Sequence, residues 1–272
     1  MIRSTNQPGA DWDAPIDPEL ADRFRNLARQ LPALDNIRIP RMVVSSAALA
    51  ALAVFCDASA QGIGAAVCAI EWSSGARARL LISRSRLAGS RTIPNLELQA
   101  AVLGVQLISA AAKFSGICRW RLFSDSTIVL QWIRGHPNRL RDVFVSNRVR
   151  QIVSCTIPDQ WSHVDGTDNP ADHLTRGLSC GQLQRSGLWW NGPEFLTSLL
   201  PSDFLDASTS LGRTSAVALV GRSSTVECSW NNLLANKRKE LSAKGEVHTP
   251  RPFCVRFGLM PNCKLFRVKC LA

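Results

Sequence analysis

The chain of 272 residues has a formal net charge of +11 at pH 7, and 46% of its residues are apolar, enough for a substantial buried core. This basic balance suits a polyanionic partner but does not identify one. The longest uninterrupted apolar run, Ala47 to Cys56, is too short to span a bilayer, so we expect no membrane-spanning segment.

The first part of the chain predicts a connector followed by an antiparallel sheet. Residues 1–45 are interrupted by several prolines and indicate a lead-in, with a helix over 19–31 and an extended segment over 37–41. Strands are then predicted over 52–57, 63–70 and 78–85. Because only short turns join these strands, they form an antiparallel meander.

The next part predicts helices alternating with strands. A helix over 94–114 begins with Pro94 in its first turn, and a strand over 119–124 follows it. Since this helix separates the strand from the meander, we expect a crossover connection and parallel pairing. Further helices are predicted over 126–133 and 140–153, a fifth strand over 160–164, and a last helix that begins near Asn169 and ends at Gly177. The predicted fold class is therefore α/β, a mixed five-stranded sheet flanked by helices.

The rest of the chain predicts no further core. Residues 181–205 form a Trp-rich extension of the domain predicted over 46–180, and residues 206–272 indicate a basic linker or poorly ordered tail. The nine cysteines include no Cys-x-x-Cys pair, so we expect free thiols in a reducing, intracellular compartment. Asp11, Asp13 and Asp17 lie where a signal peptide would need apolar residues.

Four acidic residues lie at the ends of predicted elements. Asp57 and Asp125 end strands, whereas Glu97 and Asp172 lie in the first turns of helices. Such ends converge when strands lie side by side in a sheet, and clustered carboxylates repel one another unless cations bind between them. We therefore predict a site for two Mg²⁺ ions, with Mn²⁺ as an alternative, of the kind that cleaves phosphodiesters by in-line displacement.

Each of these acids also has a purely structural interpretation. Asp57 would open a turn, Asp125 would cap the next helix, and Glu97 and Asp172 would interact favourably with helix dipoles. Glu97 is unusual because it lies in an otherwise apolar helix, where a lone carboxylate needs a partner. The joint order of the four acids favours the metal site over four independent structural roles.

Short motifs around these acids occur in a fixed order over about residues 35–200. They are Phe55-Cys56-Asp57-Ala58-Ser59 with Gly62 and Gly64, Ser83-Arg84-Ser85-Arg86-Leu87, Ile93-Pro94-Asn95-Leu96-Glu97-Leu98, Ser124-Asp125-Ser126 with Trp132-Ile133, Asn147-Arg148-Val149, His163 with Asp168-Asn169-Pro170-Ala171-Asp172, and Leu188-Trp189 with Gly192-Pro193. The order of elements resembles the ribonuclease H fold, and the motifs are similar to the ribonuclease H region of BEL/Pao-type LTR retrotransposon Pol polyproteins.

This resemblance implies metal-dependent cleavage of the RNA strand of an RNA–DNA hybrid during reverse transcription. Asp57, Glu97, Asp125 and Asp172 would be the catalytic metal ligands, and His163 would assist proton transfer and product release. Residues 1–45 would be a connector from an upstream polymerase region. The implied partners are the hybrid and the reverse transcriptase and integrase regions of the parent polyprotein, in cytoplasmic virus-like particles or the nucleus.

Basic residues of the domain predict where a duplex would lie. A duplex-binding enzyme needs several phosphate contacts, and a solvated charged surface is the simpler interpretation of any single arginine. The candidates for phosphate contacts are Arg84, Arg86, Arg91, Arg139 and Arg141.

Other functions stay open from the sequence. A decayed or domesticated fragment would keep the fold as a binding or connection module, although all four acids are present. An aspartic peptidase is disfavoured, because neither Asp57-Ala58-Ser59 nor Asp125-Ser126-Thr127 has the Asp-Thr/Ser-Gly loop that such an enzyme needs. Integrase-like chemistry ranks third, since it usually lacks an acid equivalent to Asp172.

Overall fold

The computed structural model describes residues 15–40, 42–73 and 75–206, so the prediction for the tail falls outside the described part except at residue 206. The first described helix, α1, spans Pro18–Gln30, as expected. Asp17 caps it by accepting a hydrogen bond from the Leu20 amide at 3.1 Å. A short 3-10 segment, Leu31–Asn36, follows.

A mixed sheet forms the centre of the domain. Strands β1 (Ala50–Ala58), β2 (Gly62–Glu71) and β3 (Arg77–Leu87) form the antiparallel meander. Strand β4 (Arg119–Ser124) pairs parallel with β1, and β5 (Trp161–His163) pairs parallel with β4, which gives the order β3-β2-β1-β4-β5. A sixth strand, β6 (Leu205–Asp206), pairs antiparallel with the start of β4. The sequence did not predict β6, because two residues carry no periodicity.

Six further α-helices lie within the described residues. They are α2 (Ile93–Ser115), α3 (Thr127–Arg134), α4 (Val143–Val153), α5 (Asp172–Arg176), α6 (Cys180–Arg185) and α7 (Gly187–Asn191). Helix α4 begins three residues later than predicted, because the Asp142 side chain accepts hydrogen bonds from the Phe144 and Val145 amides and fixes its start. The predicted α/β class, a mixed sheet flanked by helices, is confirmed, with six strands instead of five.

Helix α2 is the central helix of the domain. It is the one helix among the described residues whose length and hydropathy would suffice to cross a membrane. Most of its apolar side chains are buried against β1 and β2, as expected for a core helix, whereas Ile93 and Phe114 near its ends are exposed. Gly104, in the middle of α2, lies so close to the sheet that a Cβ there would be 2.3 Å from Cys56 Sγ. Glycine at this position therefore allows the helix to approach β1.

Both faces of the sheet are covered. Leu52, Val54 and Cys56 of β1 belong to the core under α2, α3 and α4. The alternate residues of β1 face a second core, in which Phe55 stacks on Phe123 with ring centroids 5.0 Å apart. Leu196 and Phe204 from the Trp-rich extension complete this second core. The extension therefore packs on the sheet, although the predicted boundary at residue 180 separates it from the domain.

Candidate metal and active site

The ends of three parallel strands bring together the predicted acids and histidine. In the β1–β4 pair, Cys56 lies opposite Ser124, so Asp57 and Asp125 both follow this pair directly. In the β4–β5 pair, Ser124 lies opposite His163. Asp57, Asp125 and His163 therefore lie at the same edge of the sheet.

Glu97 reaches this edge from the first turn of α2. The Ser126 hydroxyl donates a hydrogen bond to Glu97 Oε2 at 2.6 Å. The same hydroxyl oxygen accepts a hydrogen bond from the Val129 amide at 3.3 Å and caps α3. Ser126 therefore connects the start of α2 to the start of α3, beside Asp125, and it, rather than Asp125, is the N-cap of that helix.

Asp57 is held by the last helix of the predicted site. The buried Thr175 hydroxyl in α5 donates a hydrogen bond to Asp57 Oδ2. Upstream of α5, the buried Asn169 amide donates to the Cys56 carbonyl oxygen at 3.0 Å, and Asn169 Oδ1 accepts from the Ala171 amide at 3.1 Å. These bonds fix the segment before α5, and with it Asp172, against the end of β1.

Asp172 is the first residue of α5, which begins two residues after the predicted first position, Pro170. Its Oδ1 pairs with Nε of Arg176, one turn later in the same helix. The Asp172 side chain is 27% exposed, whereas Asp57 is buried, so Asp172 lies nearer the rim of the carboxylate cluster.

The four carboxyl groups share one electrostatic environment. Burial, together with the charges of Asp57, Glu97 and Asp172, raises the pKa of Asp125 to about 6, against the opposing effect of a hydrogen bond to the backbone. Burial also raises the pKa of Asp57, and the Asp172 charge adds to this, while the bond from Thr175 opposes it. Mutual repulsion of this kind identifies the cluster as a site that a cation would stabilise.

One carboxylate oxygen in the cluster has no partner in the described structure. Asp125 Oδ1 is buried and accepts no hydrogen bond. A buried polar atom without a partner costs free energy, which a bound cation would recover. The donor set, four carboxylates, also suits hard cations such as Mg²⁺.

The observed side-chain positions do not form a closed metal site. Among the described residues, no three His, Cys, Asp or Glu side chains are arranged to hold a metal ion. Glu97, Asp57 and Asp172 each have one oxygen bonded to a protein partner, namely Ser126, Thr175 and Arg176. The residues are therefore suitable in kind and location, and the assignment of four metal ligands stays a prediction.

His163 is the last residue of β5, and an exposed loop follows it. Its side chain is 46% exposed, and its Nδ1 lies 4.0 Å from Asp165 Oδ1. A Cβ added at Gly166 would lie 3.7 Å from Asp125 Oδ2, so the loop after β5 passes directly beside Asp125. The predicted histidine is therefore in the vicinity of the carboxylates.

The predicted arginines lie on two parts of the surface. Arg84 and Arg86 are exposed at the end of β3, whereas Arg139 and Arg141 are exposed in the segment before α4. Arg91 connects these regions, because its guanidinium lies 4.0 Å from the centroid of the Phe144 ring in α4. The sequence analysis missed Arg148, whose guanidinium lies 4.6 Å from the same ring. It also missed Thr175, Ser126 and Asn169 as residues that position the acids.

A comparison with known families finds a match in the first part of the chain. Residues 1–126 match the model of the Pao retrotransposon-like RNaseH-like domain. The predicted resemblance is confirmed. The matched residues include Asp57, Glu97 and Asp125, whereas His163 and Asp172 lie beyond them. No curated protein matches the chain.

Similar folds occur among solved structures. The N-terminal RNase H domain of a Mycobacterium tuberculosis protein, solved as a fusion with maltose-binding protein, is 16% identical, with a TM-score of 0.32 over 46% of this chain and 91% of the other. LC11-RNase H1, solved in complex with an RNA/DNA hybrid, is 12% identical, with a TM-score of 0.35 over 49% of this chain and 99% of the other. The foamy viral protease-reverse transcriptase is 11% identical, with a TM-score of 0.32 over 63% of this chain and 22% of the other.

Proposed function

We propose that this Pao-like ribonuclease H-like domain hydrolyses the RNA strand of RNA–DNA hybrids in a reaction that depends on divalent metal ions. The observation that carries the proposal is the group of four interacting carboxyl groups at one sheet edge, in which Asp125 keeps a buried oxygen without a partner. The family match supports the same function, because it covers three of the four acids.

Asp57, Glu97, Asp125 and Asp172 would hold the metal ions. When bound, two Mg²⁺ ions supply charge stabilisation at a scissile phosphate and lower the pKa of a bound water. The protein's own contribution is a set of carboxylates held in place before substrate arrives. Thr175 orients Asp57, Ser126 orients Glu97, and Asn169 fixes the segment that carries Asp172.

His163 would move protons at the edge of the site. Its exposed imidazole lies at the end of β5, next to the loop that passes beside Asp125, so a ring nitrogen would be accessible for proton transfer with the substrate. The substrate's 2′-hydroxyl would distinguish RNA from DNA. The arginines on β3 and before α4 would contact phosphates on either side of the scissile bond.

The test uses the Asp57→Asn and His163→Ala variants with a labelled RNA–DNA hybrid in Mg²⁺ or Mn²⁺, and a DNA duplex as a control substrate. Asp57→Asn should abolish cleavage and leave the circular dichroism spectrum unchanged, because asparagine keeps the shape and loses the charge that binds a hard cation. His163→Ala should slow cleavage without abolishing it.

The possible results separate the alternatives. If the wild type cleaves no hybrid at any Mg²⁺ or Mn²⁺ concentration, the chain is a binding or connection module rather than an enzyme. If Asp57→Asn cleaves as fast as the wild type, the catalytic residues are wrongly assigned.

A further inference from the structure

The guanidinium group of Arg176 lies against the carboxylate cluster. Its Nε donates a hydrogen bond to Asp172 Oδ1, one turn earlier in α5. Among the ion pairs of the described residues, this one joins a basic side chain to an acid of the cluster. A protein cation therefore occupies an oxygen that the proposed function assigns to a metal ion.

The charge of Arg176 reaches beyond its direct partner. It lowers the pKa of Asp57, whereas burial and the Asp172 charge raise it. At Asp125, burial and three carboxylate charges all act in the opposite direction to such a cation. The guanidinium group therefore offsets part of the repulsion within the cluster, as a bound cation would.

The position of Arg176 allows its side chain to leave. The side chain is 76% exposed and lies in the last turn of α5. The helix ends at Gly177, where an added Cβ would meet no atom within 4 Å, so this end of α5 faces open space. An ion pair that is so exposed contributes little to stability, and little is lost when it breaks.

Asp172 itself is fixed by other contacts. The buried Thr175 hydroxyl lies 3.1 Å from the Asp172 carbonyl oxygen and also contacts Asp57, so it holds the first turn of α5 against β1. Upstream, the Asn169 amide binds the Cys56 carbonyl oxygen. Movement of Arg176 would therefore free the Asp172 carboxylate without moving its backbone.

We propose that Arg176 is a positioning residue that acts through Asp172 as the exchangeable counter-ion of the cluster. It holds Asp172 Oδ1 while the site contains no metal ion, competes with a divalent cation for that oxygen, and so sets the metal affinity of the site. The inference rests on the proposed function, which requires metal ions at this cluster. It also predicts an unusual sign: loss of Arg176 should tighten metal binding, whereas loss of a residue that only supports Asp172 should weaken it.

The test is calorimetric titration of Mg²⁺ or Mn²⁺ into the whole metal-free chain without nucleic acid. Arg176→Gln should bind the metal ion about two- to tenfold more tightly than the wild type, because one competing ion pair and one repelling charge are gone. Arg176→Lys keeps a cation four residues from Asp172 and should bind with an affinity close to that of the wild type.

Two controls separate competition at Asp172 from net charge. Arg29→Gln removes the same charge from the exposed last turn of α1 and should leave the metal affinity unchanged. In an Asp172→Asn background, Arg176→Gln should change the affinity much less than it does in the wild type, because the contested oxygen no longer carries a charge. Circular dichroism of the metal-free variants checks that each one is folded.

The outcomes are distinct. Unchanged or weaker metal binding in Arg176→Gln, an equal gain in Arg29→Gln, or no metal binding by either protein would overturn the proposal. Parallel assays with an RNA–DNA hybrid separate it from the proposed function. Tighter metal binding in Arg176→Gln without any cleavage by the wild type contradicts only the nuclease function. Metal-dependent cleavage by the wild type with the same metal affinity in both proteins contradicts only the role of Arg176.

Discussion

The carboxyl group of Asp125 links the chemistry of the site to the stability of the fold. Its pKa is raised from 3.8 to about 6, so between these values the folded protein holds a proton that the unfolded chain has lost. The free energy of unfolding therefore falls as the pH rises from about 4 through about 6. Above pH 6 the Asp125 carboxyl group of the metal-free protein is ionised, and this charge is destabilised by burial and by the neighbouring carboxylates.

Asp125→Asn should consequently stabilise the metal-free protein at pH 8. Allowing for screening at a partly exposed site, we expect a gain of about 1 to 2 kcal/mol in the free energy of unfolding, and a gain near zero at pH 4. Urea unfolding in EDTA at both pH values measures this difference. Asp35→Asn, at an exposed carboxyl, is the control and should change little. A gain that is equal at both pH values would show that charge is not its cause.

The hydroxyl group of Thr175 controls the protonation of Asp57 through a single hydrogen bond. Its hydrogen bond lowers the pKa of Asp57, so Thr175→Val should raise that pKa further. The acid limb of the pH–rate profile for hybrid cleavage should then move to higher pH, while Thr175→Ser, which keeps the hydroxyl, should retain the wild-type profile. A uniform loss of rate at every pH in Thr175→Val would instead indicate a general disturbance of the fold.

The elements that carry the acids were more predictable than the contacts between them. Asp57 and Asp125 could be placed from sequence, because apolar strand runs end at them and the order of elements requires neighbouring parallel strands. The bonds from Thr175 and Asn169 could not, because they join residues separated by 118 and 113 positions in the chain. No local pattern in α5 distinguishes a threonine that contacts β1 from one that faces solvent.

Helix α2 lies so close to β1 at Gly104 that one added methyl group there should destabilise the fold. Gly104→Ala would place a Cβ 2.3 Å from Cys56 Sγ and 3.2 Å from Val54 Cγ1. We expect a loss of about 1 to 3 kcal/mol in the free energy of unfolding, although alanine is the better helix former.

A second substitution, at Cys56, identifies the cause of the lost stability. Cys56→Ala removes the sulfur atom that the new methyl group would meet, so the double variant should lose less stability than the sum of the single variants, by about 1 kcal/mol or more. Urea unfolding of all four proteins completes the cycle. Additive losses would show that α2 moves away from β1 as a whole instead of clashing at Cys56.

At the scale of the whole molecule, the second core, which contains Phe55 and Phe123, also includes residues that the sequence assigned to the Trp-rich extension. Phe195 packs edge-on against Phe55 and Phe123, with ring centroids 6.4 and 5.4 Å away, and Leu196 and Phe204 are buried in the same core. The aromatic and aliphatic spacing of 181–205 gave no periodic signal, because its short helical turns pack on a sheet that the distant part of the chain forms.

Two truncated forms of the chain test whether the end of the Trp-rich extension stabilises the second core. Ending the chain after Gly192 removes Leu196 and Phe204, whose burial contributes about 1.5 to 3 kcal/mol each, and exposes Phe55 and Phe123. The melting temperature should fall by roughly 10 °C or more, or the protein should fail to fold. Ending the chain after Asp206 keeps β6 and the whole second core, so the melting temperature should change by no more than a few degrees. Thermal unfolding followed by circular dichroism compares the two, and an equal loss in both would show that residues 207–272 also contribute to the stability of the domain.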